Sequence, residues 1–272
     1  MIAVALAALL SAPQAPSPDP AAEQTWREYC SLLRGCGLEP PPGACTPDLS
    51  SGVEGVRYDE ERCAEPRALA GRGVSIAGSL GFRLYRFLGR RYQVHYPLEG
   101  TLALSAPRLA YLLGDLPLAA RLLTHYRKTP YSAVVLEGNR VRASRGKGLT
   151  GDGYLLSGSP AERVLYYFGS GTSSLGPWTL RGQALLHVAF EAEGAGLRYR
   201  ARIVSTPTNA FMNTVMNMGL FKSVLRGRVR EVLDDIAQAS ASLQRDGGRS
   251  LLGQPGWTEA EQGKIAALLR LP

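Results

Sequence analysis

Residues 206–243 carry the longest helical periodicity in the chain. Phe211, Val215, Met218, Leu225, Val229, Val232, Ile236 and Leu243 recur at the spacing of one helix face, and Arg230, Asp234 and Gln238 lie across from them. The pattern predicts one long helix, capped by Thr206 with Pro207 in its first turn. Its second half is amphipathic. Its first half is apolar nearly all round, because Met212, Met216, Leu220, Phe221 and Val224 fall off the stripe. Such a segment needs cover on more than one side, and Gly219 offers a point of bending. Methionine is unbranched and adaptable, so Met212, Met216 and Met218 suit either a packed core or the wall of an irregular apolar site.

Ahead of that helix the period changes from about four to two. Residues 94–104 alternate, with Val94, Tyr96, Leu98, Leu102 and Leu104 on one side and His95, Glu99 and Thr101 on the other. Short helices follow at 106–113 and 116–126, the second capped by Asp115. Strands are expected at 131–137 and 140–145, turning at Gly138-Asn139, and then at 149–157 and 162–169. The clearest hairpin joins 178–193 to 197–205 through Gly194-Ala195-Gly196. Its apolar positions (Leu186, Val188, Phe190, Tyr199, Ile203) alternate with His187, Glu191, Arg198, Arg200 and Arg202, which predicts one buried and one wet face. A Thr258-x-x-Glu261 capping box opens a last helix that docks through Ile265, Leu268 and Leu269.

The first third of the chain has another character. Residues 1–12 are apolar and end in small residues, which fits the hydrophobic region of a secretory signal, expected over residues 1–15. No Lys or Arg precedes the run. A Pro-rich linker follows, then a short helix at 22–34 bearing Trp26, Tyr29, Cys30 and Leu33, and then a Pro- and Gly-rich loop. All four cysteines, Cys30, Cys36, Cys45 and Cys63, fall in this region. Behind an export signal they read as two disulfides, with three pairings open. Residues 22–66 are therefore expected to form a stapled module. Residues 67–92 form a connecting segment with a short aromatic and basic helix, 93–243 the main domain, and 244–272 a loop and docking helix.

The order of strand, two short helices, six strands and long helix resembles the helix-grip (SRPBCC) superfamily of START-like and polyketide-cyclase-like domains, over about residues 93–243. That resemblance implies an α+β fold, in which a curved seven-stranded antiparallel sheet wraps a long C-terminal helix with an apolar cavity between them. It implies a hydrophobic small molecule or lipid as partner. The side chains expected to line the cavity are Tyr154, Tyr166, Phe190, Tyr199, Phe211, Met212 and Met216.

Little in the sequence points to catalysis. Only three histidines occur, none with a second His or a Cys at metal-ligand spacing. Gly73-Val-Ser75-Ile-Ala77 lacks the buried strand that a nucleophile elbow needs. The Gly169–Gly176 run joins two strands instead of opening a helix, so it is no phosphate loop. Asp152, between two glycines, reads as a turn or bulge. No catalytic residue, metal or cofactor is expected. The net charge of +8 comes from arginines spread along the chain. An anionic membrane surface is a secondary partner, and nucleic acid does not fit an exported chain. The reading is an exported, periplasmic or extracellular bacterial protein that binds a hydrophobic small molecule. The alternatives are a cavity-based cyclase or hydrolase, with Tyr154, Tyr166 and Tyr199 as its inward polar groups, and an envelope interaction protein without ligand.

Overall fold

The computed structural model describes residues 19–46, 52–137, 140–146, 149–159, 162–175, 178–194, 196–207 and 210–272. The signal segment and the Gly138-Asn139 turn lie outside them. Contacts group the chain into two units, one of the described residues up to Val94 with Thr206–Asn213, the other of His95–Ser205 with Thr214–Pro272.

The N-terminal unit is built on three helices, α1 (Pro20–Gly35), α2 (Glu60–Gly71) and α3 (Ser79–Gly89). Two disulfides staple it, Cys30–Cys45 and Cys36–Cys63, and no described cysteine is free. Its core holds Trp26, Tyr29, Leu32, Leu33, Leu69, Leu84, Tyr85 and Phe87, all buried. The rings of Trp26, Tyr29 and Phe82 pack edge-on or tilted, which ties α3 to α1. A Cβ on Gly89 would lie 2.3 Å from the Glu28 carbonyl oxygen, so α1 and α3 approach closely only because that position is glycine. The segment 67–92 is therefore more than a connection, since α3 supplies Leu84, Tyr85 and Phe87 to this core. The sequence pattern missed α2, which runs on through Pro66. Its start was readable, because Asp59 accepts from the Arg62 backbone N–H and Glu60 and Glu61 fill the first turn.

The C-terminal unit begins with β1 (Val94–Leu102), α4 (Ala106–Gly114) and α5 (Leu116–Arg127). Six strands follow: β2 (Tyr131–Val135), β3 (Arg140–Arg145), β4 (Leu149–Ser159), β5 (Val164–Leu175), β6 (Trp178–Glu193) and β7 (Gly196–Ser205). They form one seven-stranded sheet in the order β1-β7-β6-β5-β4-β3-β2, with every pair from β2 to β7 antiparallel. Asp152 lies inside β4, paired with Arg142 and Ser170, and is no turn; the irregularity falls between Leu155 and Ser157.

The expected single helix is two, α6 (Ala210–Asn217) and α7 (Gly219–Asp246), with extended backbone at Met218. The bend thus comes at the residue before Gly219. Gly247, in the left-handed region at φ 62°, ends α7. The capping box then opens α8 (Glu259–Arg270), whose Ile265 and Leu268 are buried.

Directly opposed residues of antiparallel strands point to one face, so the register sorts the sheet. One face carries Leu165, Phe190, Leu197, Tyr199 and Ala201. These pack with Leu109 and Leu112 of α4, Leu118 and Leu122 of α5, Ile236 and Leu243 of α7, and Ile265 and Leu268 of α8. This is the grip face. The opposite face is wet over only part of its area. There Glu191 opposes Arg198, but Phe168, Leu185 and Val204 form a buried row. The alternation in the hairpin predicts that whole face to be solvated, and this row corrects it.

Candidate functional site

The grip face passes from rows of large side chains to rows rich in glycine. At one end Phe190 opposes Tyr199, and the next rows hold Leu165, Val188 and Ala201, then Leu155, Tyr167, Leu186 and Ile203. Beyond them the central side chains shrink to glycine. One row runs Val135, Val141, Gly153, Gly169, Ala184 and Ser205, and the next runs Ala143, Gly151, Gly171 and Gly182. The glycines are of two kinds. A Cβ on Gly169 would come within 2.4 Å of the Asp152 carbonyl oxygen and one on Gly151 within 2.8 Å of that of Ser170, so these two serve close strand approach. Gly153 and Gly182 are different: a Cβ there would meet nothing within 4 Å. The floor of the sheet is open at those points. Val135, on the same face at its edge, is 58% exposed.

Three groups lie around these rows. The Tyr167 ring stands at the boundary between its floor and the filled core, and desolvation pushes its hydroxyl pKa up. The Tyr96 hydroxyl donates to the Met216 carbonyl at 3.4 Å, which holds the end of α6 to β1. At the β2–β3 edge, Asp235 of α7 is buried among partners. Arg127 Nε donates to it at 2.8 Å and the Tyr131 hydroxyl at 2.6 Å. Arg145 donates to the Tyr131 hydroxyl at 2.6 Å and pairs with Glu231. Burial alone would raise the Asp235 carboxyl, but the hydrogen bonds from Tyr131 and Arg127 and the adjacent guanidiniums outweigh it and hold it below the usual range. Burial and the bond to Asp235 push Tyr131 up to about 12. The cluster pins α7 to α5 and to the sheet edge.

The seven side chains expected to line one cavity are not brought together. Phe190 and Tyr199 lie on the grip face but in its filled end, 1% and 2% exposed. Tyr154 and Tyr166 are a correction. Tyr154 opposes Phe168 and Tyr166 opposes His187, so both sit on the far face of the sheet. Tyr166 is buried there, stacked on His187 with ring centroids 4.4 Å apart and 6° between planes. The inward tyrosine of β5 is its neighbour, Tyr167. Phe211 is 73% exposed, so it is no lining residue either. Met212 and Met216 are both half-buried on α6, Met212 grouping with the N-terminal unit and Met216 with the C-terminal one. The sequence reading missed the glycine floor because Gly-Asp-Gly and Gly-Ser-Gly are also turn signals. The clue was their spacing: Gly151 and Gly153, like Gly169 and Gly171, are two apart and so share a face within a strand.

The histidines lie outside these rows. His95 accepts from Arg202 at 3.1 Å, and His187 faces away from the helix. His125 lies 3.1 Å from the Ser250 hydroxyl, which also bonds Tyr126 and Asp246. A separate open cleft of about 470 Å³ lies in the N-terminal unit, lined by Glu23, Arg27, Glu28, Glu54 and Arg91 among others. Its charges are partly satisfied within α1, by Arg27 on Glu23 and Gln24 on Glu28. Such a lining does not suit an apolar guest.

A seven-stranded antiparallel sheet with two short helices after its first strand and a long helix after its last defines a helix-grip fold. No protein-family model matches the sequence, and no curated protein does. Several solved structures are similar. Ara h 8.0201 shares 12% identity over 55% of this chain and 99% of its own, at a TM-score of 0.42. TTHA0849 from Thermus thermophilus shares 16% over 55% and 99%, at 0.37. Ms6760 from Mycobacterium smegmatis shares 16% over 56% and 92%, at 0.37.

Proposed function

We propose that the C-terminal unit binds a hydrophobic small molecule or lipid in the recess above the glycine floor, under the end of α6 and the start of α7. The observation that carries this is the open space over Gly153 and Gly182, on a face otherwise filled with apolar side chains. Tyr167, Leu155, Leu186 and Ile203 form the apolar wall, with Met216 as the adaptable roof. An apolar guest would replace the contacts that the missing side chains do not make, at about 25 cal/mol per Å² of surface removed from water. The Tyr167 hydroxyl is the polar group placed to orient a guest's polar end.

We place the protein outside the reducing cytoplasm, in the periplasm or beyond, because two disulfides staple its N-terminal unit. Among the described residues no helix is long and apolar enough to cross a membrane. The test is extraction of the purified protein with organic solvent, followed by mass spectrometry of what it releases, and a titration of the stripped protein with a fluorescent fatty acid. Saturable uptake supports the reading. A stripped protein that takes up none removes it.

A further inference from the structure

We propose that the β2 edge of the sheet pairs with β2 of a second copy of this chain, antiparallel, about a twofold axis at Val134. β2 ends the sheet, with β3 as its one neighbouring strand. The Leu136 N–H donates to the Arg140 carbonyl at 2.8 Å, and the Pro130 carbonyl accepts from Gly146 at 2.6 Å. The even-numbered residues therefore turn their backbone groups toward β3, and Tyr131, Ala133 and Val135 turn theirs outward. Those of Tyr131 meet the Thr124 hydroxyl, the N–H donating to it at 2.8 Å and the carbonyl lying 2.9 Å from it. Among the described residues nothing meets the outward backbone groups of Ala133 and Val135. The side chains at this point are bare as well, Val134 at 55% and Val135 at 58% exposure. Natural sheets blunt such edges with charge or proline. The other edge strand, β1, contains Pro97, whereas β2 contains neither.

The strand's own pattern selects a second copy as the occupant. Residues 129–136 carry no charge, and the run is bounded by the exposed Lys128 and Glu137. In an antiparallel pair the basic end of each strand lies toward the acidic end of the other, so the ends match in sign. The register that uses both open residues sets Ala133 of each chain against Val135 of the other as hydrogen-bonded pairs, a small side chain facing a large one. Val134 then meets Val134 of the second copy at the centre, as a non-hydrogen-bonded pair of β-branched residues at the closer Cα spacing. The arginines beside the edge do not oppose this contact, because Asp152 holds both Arg140 and Arg142. An arbitrary peptide strand would satisfy the backbone groups, but a second copy also supplies the matching ends and centre. The contact is isologous and closes at a dimer. So short a seam falls well under a standard interface, so the dimer is weak and forms at micromolar concentration or above. It does not depend on a guest in the recess.

The experiment is sedimentation equilibrium of the full chain from micromolar to near-millimolar concentration, with thermal unfolding to confirm that each variant is folded. The parent should pass from monomer to dimer across that range. Val134→Lys sets two like charges directly opposite each other at the centre and should raise the dissociation constant at least about tenfold. Ala133→Pro removes an outward N–H while leaving the β2–β3 bonds in place, and it should weaken the dimer in the same way. Phe211→Lys is the control, since Phe211 is 73% exposed but lies on α6, and it should leave the dimer unchanged. The proposal is overturned if the parent stays monomeric throughout. It is equally overturned if Val134→Lys and Ala133→Pro dimerise as the parent does, or if Phe211→Lys dissolves the dimer.

Discussion

Asp235 shows how much one buried carboxylate can hold. It accepts from Arg127 and Tyr131 and lies 3.6 Å from Arg145. Asp235→Ala would strand those donors. Arg127 is a third exposed and can turn to water, so the loss should sit near the low end for a broken buried pair, about 3 kcal/mol. Chemical denaturation checks it. Because the folded pKa is depressed, the carboxylate's contribution is fully present above the unfolded value of about 3.9. It is lost as pH falls through the lower folded value. The acid limb of the stability curve should therefore be shallower in Asp235→Ala than in the parent. Tyrosines act in the opposite sense. Tyr29, Tyr126 and Tyr131 are pushed up to about 12, chiefly by burial. Their contribution is intact below about pH 10 and lost as pH climbs through about 12.

Glycine substitutions divide the floor in the same residue-by-residue way. Gly182→Ala meets open space and removes a flexible residue from a strand, so it should raise stability by about 0.5–1 kcal/mol. Gly169→Ala forces a Cβ against the Asp152 carbonyl and should cost about 1–3 kcal/mol. Thermal unfolding of the two variants side by side separates space from strand contact.

At the scale of elements, period and punctuation made most of the fold readable. All seven strands, the capped α5 and the Thr258–Glu261 box of α8 follow from alternation and from capping chemistry. Two features did not. The stripe from Phe211 to Leu243 predicts one continuous helix able to bend at Gly219, but extended backbone at Met218 divides it in two and Phe211 is exposed. In β5, Tyr166 and Tyr167 are adjacent aromatics, and a strand must send one to each face. Composition cannot choose between them; pairing with Leu186 and His187 does. The far face of the hairpin differs from expectation for a related reason. Leu185 and Val204 share parity with His187 and Arg202, so one face carries both charged and fully apolar rows, and the charged ones dominate the local pattern.

At the scale of the molecule, the two units are stabilised by different means. The C-terminal unit buries a continuous apolar core from four helices and the sheet. The N-terminal unit depends more on its staples, Cys30–Cys45 and Cys36–Cys63. Native disulfides in small units contribute about 2–5 kcal/mol. Reduction should therefore unfold the N-terminal unit first. Hydrogen exchange should show amides of α1 and α2 losing protection before those of β5 and β6, and simultaneous loss would contradict this.

The central claim is that the space over Gly153 and Gly182 is where an apolar guest sits. The most direct measurement fills it. Gly153→Leu and Gly182→Leu, singly and together, place side chains where a Cβ meets nothing within 4 Å. A fluorescent fatty acid is then titrated into each variant and the parent, with thermal unfolding in parallel. The account predicts saturable binding by the parent and at least about a tenfold loss in the double variant, equal to ~1.4 kcal/mol or more, with no fall in unfolding temperature. Equal affinity in parent and double variant, or binding by neither, would contradict it.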